Sequence, residues 1–208
     1  NVAVGVSALA ANTTGTPNTA IGRAALEENT TGTYNTALGR QALNACTTGS
    51  NNVGVGCNAG DAITTGVSNT AIGDFALSGT TTSDYNTAVG AQCLYNNTTG
   101  QKNTAVGYNS LYNNTTGNYN TSVGNQTLDS NTTGYSLTAI GQGALGTNTT
   151  GTHNSACGIN ALGLNTTGSS NTAVGTDCLY GNTTGTGNTA IGRETLDACT
   201  TGAYNTAV

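Results

Sequence analysis

Tyrosines are the side chains of this sequence best suited to contact a ligand, and seven of the nine recur at multiples of 17 residues. Tyr95, Tyr112 and Tyr180 share one phase of this period, and Tyr119 lies in another. A tyrosine combines an apolar ring with a polar hydroxyl, so an exposed row of them can stack on sugar rings. We therefore predict Tyr95, Tyr108, Tyr112, Tyr119 and Tyr180 as ligand-facing residues. The alternative interpretation is that these rings only cover turns and stiffen the structure.

The tripeptide Asn-Thr-Thr occurs in eight places and matches the acceptor pattern for N-linked glycans. It begins at Asn12, Asn29, Asn97, Asn114, Asn131, Asn148, Asn165 and Asn182. The same residues are also typical of turns, because Asn and Thr side chains hydrogen-bond to nearby backbone. Both interpretations, glycosylation and turn chemistry, stay open on the sequence alone.

Six cysteines are scattered through the chain, at Cys46, Cys57, Cys93, Cys157, Cys178 and Cys199. None forms a Cys-x-x-Cys pair, so a zinc site is not expected. Three of them (Cys93, Cys157 and Cys178) stand where most units have Ala or an aliphatic residue, which predicts small buried filler. Cys46 and Cys199 replace an Asn of a turn and are expected at the surface. Disulfides between cysteines of adjacent units, Cys46 with Cys57 or Cys178 with Cys199, are an alternative.

Residues for catalysis or metal binding are sparse. His153 is the only histidine and is expected at the surface. The nine acidic residues fall mostly at variable positions and do not follow the Asp-bearing calcium repeat. Hydrolysis by paired carboxylates needs a convergence that a flat rod does not offer. We therefore expect no enzyme activity, no metal and no other cofactor.

The charge of the chain and the length of its apolar runs argue against two further classes of partner, nucleic acids and membranes. Charged residues make up 6% of the sequence and the net charge is −5, with only four Lys and Arg. Four cations cannot form the basic surface that nucleic acids require. No apolar run approaches the ~18 residues of a membrane helix, so no membrane insertion is expected.

A strict 17-residue repeat organises the whole chain, with no insertion or deletion. The first position is Asn in 12 of 13 cases, the ninth is nearly always Leu, and Thr-Thr fills the thirteenth and fourteenth. The fifth position is always glycine, at Gly5, Gly22, Gly39, Gly56, Gly73, Gly90, Gly107, Gly124, Gly141, Gly158, Gly175 and Gly192. We expect residues 1–208 to form a single tandem-repeat array and to be a fragment of a longer fibre. Disorder is the alternative suggested by the low charge, but fixed aliphatic spacing argues against it.

The repeat predicts an all-β parallel β-solenoid (a β-roll) of about 12 coils, one unit per coil. A helical array of 34-residue pairs is excluded by the Gly, Thr and Asn content. Within a unit, Thr104–Val106 is expected to be a strand, with Val106 on one side and Ala105 on the other. Gly107 ends it through a positive φ or a close backbone approach. A second strand is expected around Ser110–Tyr112, and then a turn over Asn114–Gly117 with Gly117 left-handed.

Stacking at ~4.8 Å would place equal positions in ladders along a rod of roughly 58 Å. The expected core is thin, with a Val106 ladder, a Leu111 ladder and one or two Ala ladders. A single chain then looks marginally stable, which favours a homo-oligomeric rod, most simply a trimer. Ice binding by threonine ranks is a weaker possibility, since Thr13 and Thr14 are adjacent and would point to opposite sides of a strand.

The unit Asn-Thr-Ala-Val-Gly-x-x-Ala-Leu resembles the head repeats of trimeric autotransporter adhesins, which are shorter. With Asn-Thr-Thr-Gly added, it is similar to the 17-residue repeats of phage tail fibres and of microbial or viral surface fibres. The resemblance covers the whole chain and implies a left-handed β-roll, assembled as a homotrimer, in an extracellular stalk or head.

We therefore expect a structural segment of an extracellular fibre or adhesin that acts as a rigid spacer or attachment element, on a cell surface or a virion. The alternative is a binding surface for a glycan or host receptor, formed by the exposed Tyr and Asn positions.

Overall fold

Thirteen short parallel strands, one from each unit, form one continuous sheet along the molecule. The computed structural model describes all residues 1–208. In chain order the strands are β1 (Val2–Val4), β2 (Thr19–Ile21), β3 (Thr36–Leu38), β4 (Val53–Val55), β5 (Thr70–Ile72), β6 (Thr87–Val89), β7 (Thr104–Val106), β8 (Thr121–Val123), β9 (Thr138–Ile140), β10 (Ser155–Cys157), β11 (Thr172–Val174), β12 (Thr189–Ile191) and β13 (Thr206–Ala207). Each strand pairs with the next in register, as Thr87 does with Thr104. The predicted all-β parallel solenoid of about 12 coils is thus confirmed. The structure contains no helix that could span a membrane.

The interior is narrower than the sequence suggests. Leu111 and its equivalents form the predicted buried ladder, and Ala105 and its equivalents face them from the strands; Leu111 and Ala105 themselves are 0% exposed. The two ladders are in direct contact: at Gly54 an added Cβ would lie only 2.8 Å from Cγ of Leu43. A residue larger than Ala therefore has little room on the inner side of the strand.

The expected burial of the Val106 ladder is wrong. Strand alternation puts Ala105 inside, so Val106 and its equivalents point out of the coil. Their side chains are half-buried or exposed, for example Val174 at 41% and Leu38 at 47%. A single leucine ladder, not two aliphatic ladders, fills the core.

The second expected strand, around Ser110–Tyr112, is also wrong, and a compact turn stands in its place. Asn109 and Leu111 have left-handed backbone conformations, with φ of 52° and 56°. Left-handed residues at these alternate positions send the amides of Asn109 and Leu111 in opposite directions along the rod. The N–H of Asn109 donates to Ala91 O in the preceding coil (3.2 Å), and that of Leu111 donates to Thr127 O in the following coil (2.9 Å). The turn therefore stacks as continuously as the sheet does, without strand geometry.

The two conserved glycines of the unit have different roles. Gly107 has φ of 131°, and a Cβ there would lie 2.3 Å from Gly124 O of the next coil. Both predicted reasons for glycine at this position are confirmed. Gly117 is not left-handed, contrary to the expectation. It is required by close approach, because a Cβ would lie 2.4 Å from both Gly134 O and Asn114 Oδ1.

Two columns of buried asparagine replace the missing aliphatic core. In the first column, Asn103 Oδ1 accepts from the backbone N–H of Asn120 (3.0 Å), and its Nδ2 donates to Gly117 O (2.9 Å). In the second, Asn114 Nδ2 donates to Asn97 Oδ1 (2.8 Å) and to Gly117 O (3.0 Å). Both columns therefore run along the axis of the rod, from coil to coil. Because buried polar groups are costly unless paired, these bonds tie each coil to the next.

Candidate functional site

The outward side chains of the thirteen strands form a regular surface along the whole molecule, which we call the outer sheet face. It carries a threonine rank (Thr104 and its equivalents) and beside it an aliphatic rank. The aliphatic rank consists of Val4, Ile21, Leu38, Val55, Ile72, Val89, Val106, Val123, Ile140, Cys157, Val174 and Ile191. None of the charged residues of the chain lies on these strands. An apolar surface of this length and regularity is a candidate interaction site.

Alternation along the strand already contained the signal for this surface. The small Ala at the third position and the larger residues at the second and fourth are consistent with either side facing inward. The space inside the coil decides which side faces inward, because the leucine ladder leaves room there only for a residue as small as Ala. The prediction that Val106 and Ala105 face opposite sides is therefore right, but the predicted inward direction of Val106 is wrong.

The five predicted ligand-facing tyrosines do not converge on one site. Tyr95 and Tyr112 stack on each other from consecutive coils, with ring centroids 5.2 Å apart and planes 5° from parallel. Each ring thus covers one face of the other, and the Phe75 ring packs edge-on at 6.3 Å from Tyr95. The stack therefore presents mostly ring edges rather than an open platform for sugars.

The other three tyrosines are more exposed and lie apart. Tyr108 is 49% exposed and Tyr119 is 59% exposed. Lys102 Nζ lies 5.1 Å from the centroid of the Tyr119 ring, a cation–π arrangement. Tyr180 is 38% exposed and lies four coils beyond Tyr112.

The eight Asn-Thr-Thr asparagines are structural, and seven of them are fully buried, from Asn29 to Asn182. Their Nδ2 atoms, to which a glycan would be attached, donate to neighbouring backbone and amide oxygens. A glycan at these seven sites is incompatible with this packing. The eighth, Asn12, is half-buried in the first coil and donates to Gly15 O (3.1 Å). The turn interpretation of the tripeptide is the one that fits the fold.

The cysteines are all free, so neither alternative disulfide is formed within the chain. Cys93 and Cys178 are buried as expected, but Cys157 is exposed because it belongs to the outward aliphatic rank. Cys46 occupies the same position of the unit as Asn114, which faces inward, and it is therefore buried, contrary to expectation. Cys199 is half-buried. Cys46 and Cys199 interrupt the amide column, which leaves the Oδ1 atoms of Asn29 and Asn182 without a donor.

Burial raises the pKa of the Cys93 thiol from 9.0 to about 12 and that of Cys46 to about 11. The folded chain therefore holds protons that the unfolded chain releases near pH 9. The stability contributed by these thiols is complete below pH 9 and is lost as the pH rises towards 11 and 12.

We expect thiol reagents to separate the cysteines into two classes. Near neutral pH, Cys157 should be labelled rapidly, whereas Cys46 and Cys93 should react only after unfolding in urea. Peptide mass spectrometry of partially labelled protein measures this order directly. Labelling of Cys93 as fast as Cys157 in the native protein would contradict the burial of Cys93 and the outward direction of Cys157.

His153 is exposed and its ring packs edge-on against Tyr135, with centroids 5.1 Å apart. Arg193 and Glu194 form an exposed ion pair at 2.7 Å. His153, Arg193 and Glu194 do not come together with the five predicted ligand-facing tyrosines in one polar site. The outer sheet face, in contrast, continues along the whole length of the molecule. No protein-family model, curated protein or solved structure shows a significant match to the chain.

Proposed function

We propose that the chain is a rigid structural segment of an extracellular fibre, at a cell surface or on a virion, that self-associates through the outer sheet face. The observation that carries this proposal is the uncharged aliphatic rank, whose side chains are exposed or half-buried on all twelve full coils. Together with the resemblance of the repeat to adhesin heads and tail fibres, it favours a left-handed homotrimer that acts as a spacer or attachment element rather than as an enzyme.

Periodicity indicates that the partner is another copy of the chain. The side chains of the aliphatic rank recur at every strand step of ~4.8 Å. A surface with the same repeat can interdigitate with them over the full length, whereas an irregular globular surface matches only a few steps. The absence of charge from the face also removes the repulsion that would oppose pairing of identical chains.

The dimensions of the face are sufficient for association. Twelve strand steps of ~4.8 Å and a width of roughly 10 Å give about 580 Å² per chain. Three such faces turned towards a common axis would bury up to roughly 1,700 Å² in total, within the range of specific interfaces. Stacked beta-solenoids also gain stability from every added coil, so a longer array would strengthen the contact.

Sedimentation of the isolated chain tests the proposal. We expect a trimer, and we expect the combined variant V89K/V106K/V123K to be monomeric, because three adjacent ammonium groups cannot be desolvated at the contact. Far-UV circular dichroism would verify that the coils still form.

The matched control places three lysines elsewhere on three consecutive coils, two of them shared with the first variant, in Y108K/N125K/Q142K. That position already carries Arg23, Arg40 and Arg193, so positive charge is compatible with the fold. The control should remain trimeric. A monomeric wild-type chain, or equal dissociation of both variants, would refute self-association through this face.

A second candidate function, ice binding, is suggested by the threonine rank beside the aliphatic rank. The flat face offers hydroxyl and methyl groups in a regular array without charge, although only one of the two ranks is threonine. Thermal hysteresis of the wild-type chain, lost in V89K/V106K/V123K, would favour this function over a spacer.

A further inference from the structure

A second feature lies away from the outer sheet face, at the tenth position of the unit. The residues that follow one another there include Tyr95, Tyr112, Asp129, Gly146, Gly163 and Tyr180. Two consecutive glycines leave two coils without a side chain between Asp129 and Tyr180. The result is a cleft of about 300 Å³. The levels of Asp129 and Tyr180 are three coil steps apart, or roughly 14 Å.

Tyr180 forms the aromatic end of the cleft. Its ring leans over Gly163, where an added Cβ would lie 2.9 Å from both Cδ2 and Cε2. The ring has no aromatic neighbour on the adjacent coil, unlike the mutually covered Tyr95 and Tyr112. At Gly146 the three atoms nearest to an added Cβ are all backbone, with Gly143 O the closest at 3.0 Å, so no side chain fills the cleft there and a new one needs only a small shift of that turn.

Polar groups with unused hydrogen-bonding capacity form the rest of the cleft. The carboxylate of Asp129 has no hydrogen-bond partner in the protein, and partial burial raises its pKa. Asn160 uses its Nδ2 on Asp177 Oδ1 (3.1 Å), which leaves Oδ1 free to accept. Thr147 donates its hydroxyl proton to Gly163 O (2.8 Å), so its oxygen can only accept.

We propose that this cleft binds a pyranose ring of a neutral glycan. The apolar face of the sugar would lie against the Tyr180 ring, and its hydroxyls would donate to Asp129 and Asn160. Several acceptors beside one aromatic ring suit a ligand that carries many hydroxyl donors. The site gives the glycan-binding alternative a defined location, and it does not depend on self-association of the rod.

Saturation-transfer NMR with methyl glycosides of glucose, galactose, mannose and N-acetylglucosamine tests this site on the intact chain. We expect millimolar binding of at least one of them. The variant Gly146→Tyr should abolish it by filling the cleft with a side chain that the tenth position accepts at Tyr95 and Tyr112. Ala10→Tyr, eight coils away at the same position of the unit, should bind as the wild type does.

Two further variants protect the test against misfolding. Tyr180→Ser introduces the residue found at the tenth position in Ser78 and should weaken binding at least tenfold. Asp129→Asn keeps the shape but exchanges an acceptor for a donor, and should weaken it severalfold.

The proposal is overturned if none of the four glycosides binds, or if Gly146→Tyr binds as well as Ala10→Tyr. Binding of lysine methyl ester in place of every glycoside would also overturn it and identify a cation site. Unchanged glycoside binding in V89K/V106K/V123K would separate this site from the outer sheet face, and failure of either proposal would leave the other standing.

Discussion

Replacing Gly107 with valine should destabilise the protein by more than about 3 kcal/mol. A left-handed φ of 131° costs a β-branched residue about 1–3 kcal/mol in strain alone. The new Cβ would in addition collide with Gly124 O at 2.3 Å, and backbone fixed by the neighbouring coils cannot move away. Urea unfolding followed by circular dichroism measures the loss, and hydrogen exchange should show it to be largest in the coils on either side.

Asn109→Ser is the control for this variant, two residues away in the same turn. Asn109 is left-handed at φ of 52°, and Ser7 occupies the equivalent position at 60°. Its buried Oδ1 has no hydrogen-bond partner, so the shorter side chain breaks no bond. We expect a change below about 1 kcal/mol. A Gly107→Val chain as stable as Asn109→Ser would contradict the stacking geometry.

The second large effect is expected from the buried amide column. Asn103→Ala removes a donor to Gly117 O and the acceptor of the Asn120 backbone N–H. An unpaired buried donor costs about 1–3 kcal/mol and each lost hydrogen bond about 1 kcal/mol, so we expect a loss of about 2–4 kcal/mol. The free energy of unfolding in urea is the measurement.

Asn125→Ala is the matched control, because Asn125 is exposed and its side chain makes no hydrogen bond within the chain. Its effect should stay within about 0.5 kcal/mol. Leu137 shows the same column interrupted naturally. Leu137 is buried and its own N–H reaches Asn120 Oδ1 (3.0 Å), but the N–H of Asn154 in the next coil has no such acceptor. Equal stability of N103A and N125A would mean that the column does not hold the coils together.

The fold was predictable from the sequence to the extent that it depends on repetition. The period fixed the stacking, the strand at Thr104–Val106 and the leucine ladder, and the invariant Gly107 indicated a special backbone geometry. The turn after it was mispredicted because Leu111 adopts a left-handed conformation that its residue type disfavours. Hydrogen bonds to the adjacent coils compensate for that conformation. They cannot be predicted from the conformational preferences of single residues.

The surfaces were less predictable than the fold. A three-residue strand alternates in the same way whichever side faces inward, so the direction of Val106 had to come from packing. The Asn-Thr-Thr tripeptides match a modification pattern and a turn equally well, and burial of Asn114 decides between them. The cleft beside Tyr180 arises because Gly146 and Gly163 have no side chains. Such a gap is hard to predict from sequence, where candidate sites are recognised by the side chains that are present.

The coil-to-coil hydrogen bonds described above also determine how the rod responds to force. They run along its axis, so tension on the two ends of the chain would load them in line and open the terminal coils first, one after another. A released coil of 17 residues supplies roughly 50 Å of extended chain beyond its stacked height. The loss of one coil would nearly double the length of a rod that is itself roughly 58 Å long. Such a segment would therefore lengthen under sustained tension by releasing its coils one at a time.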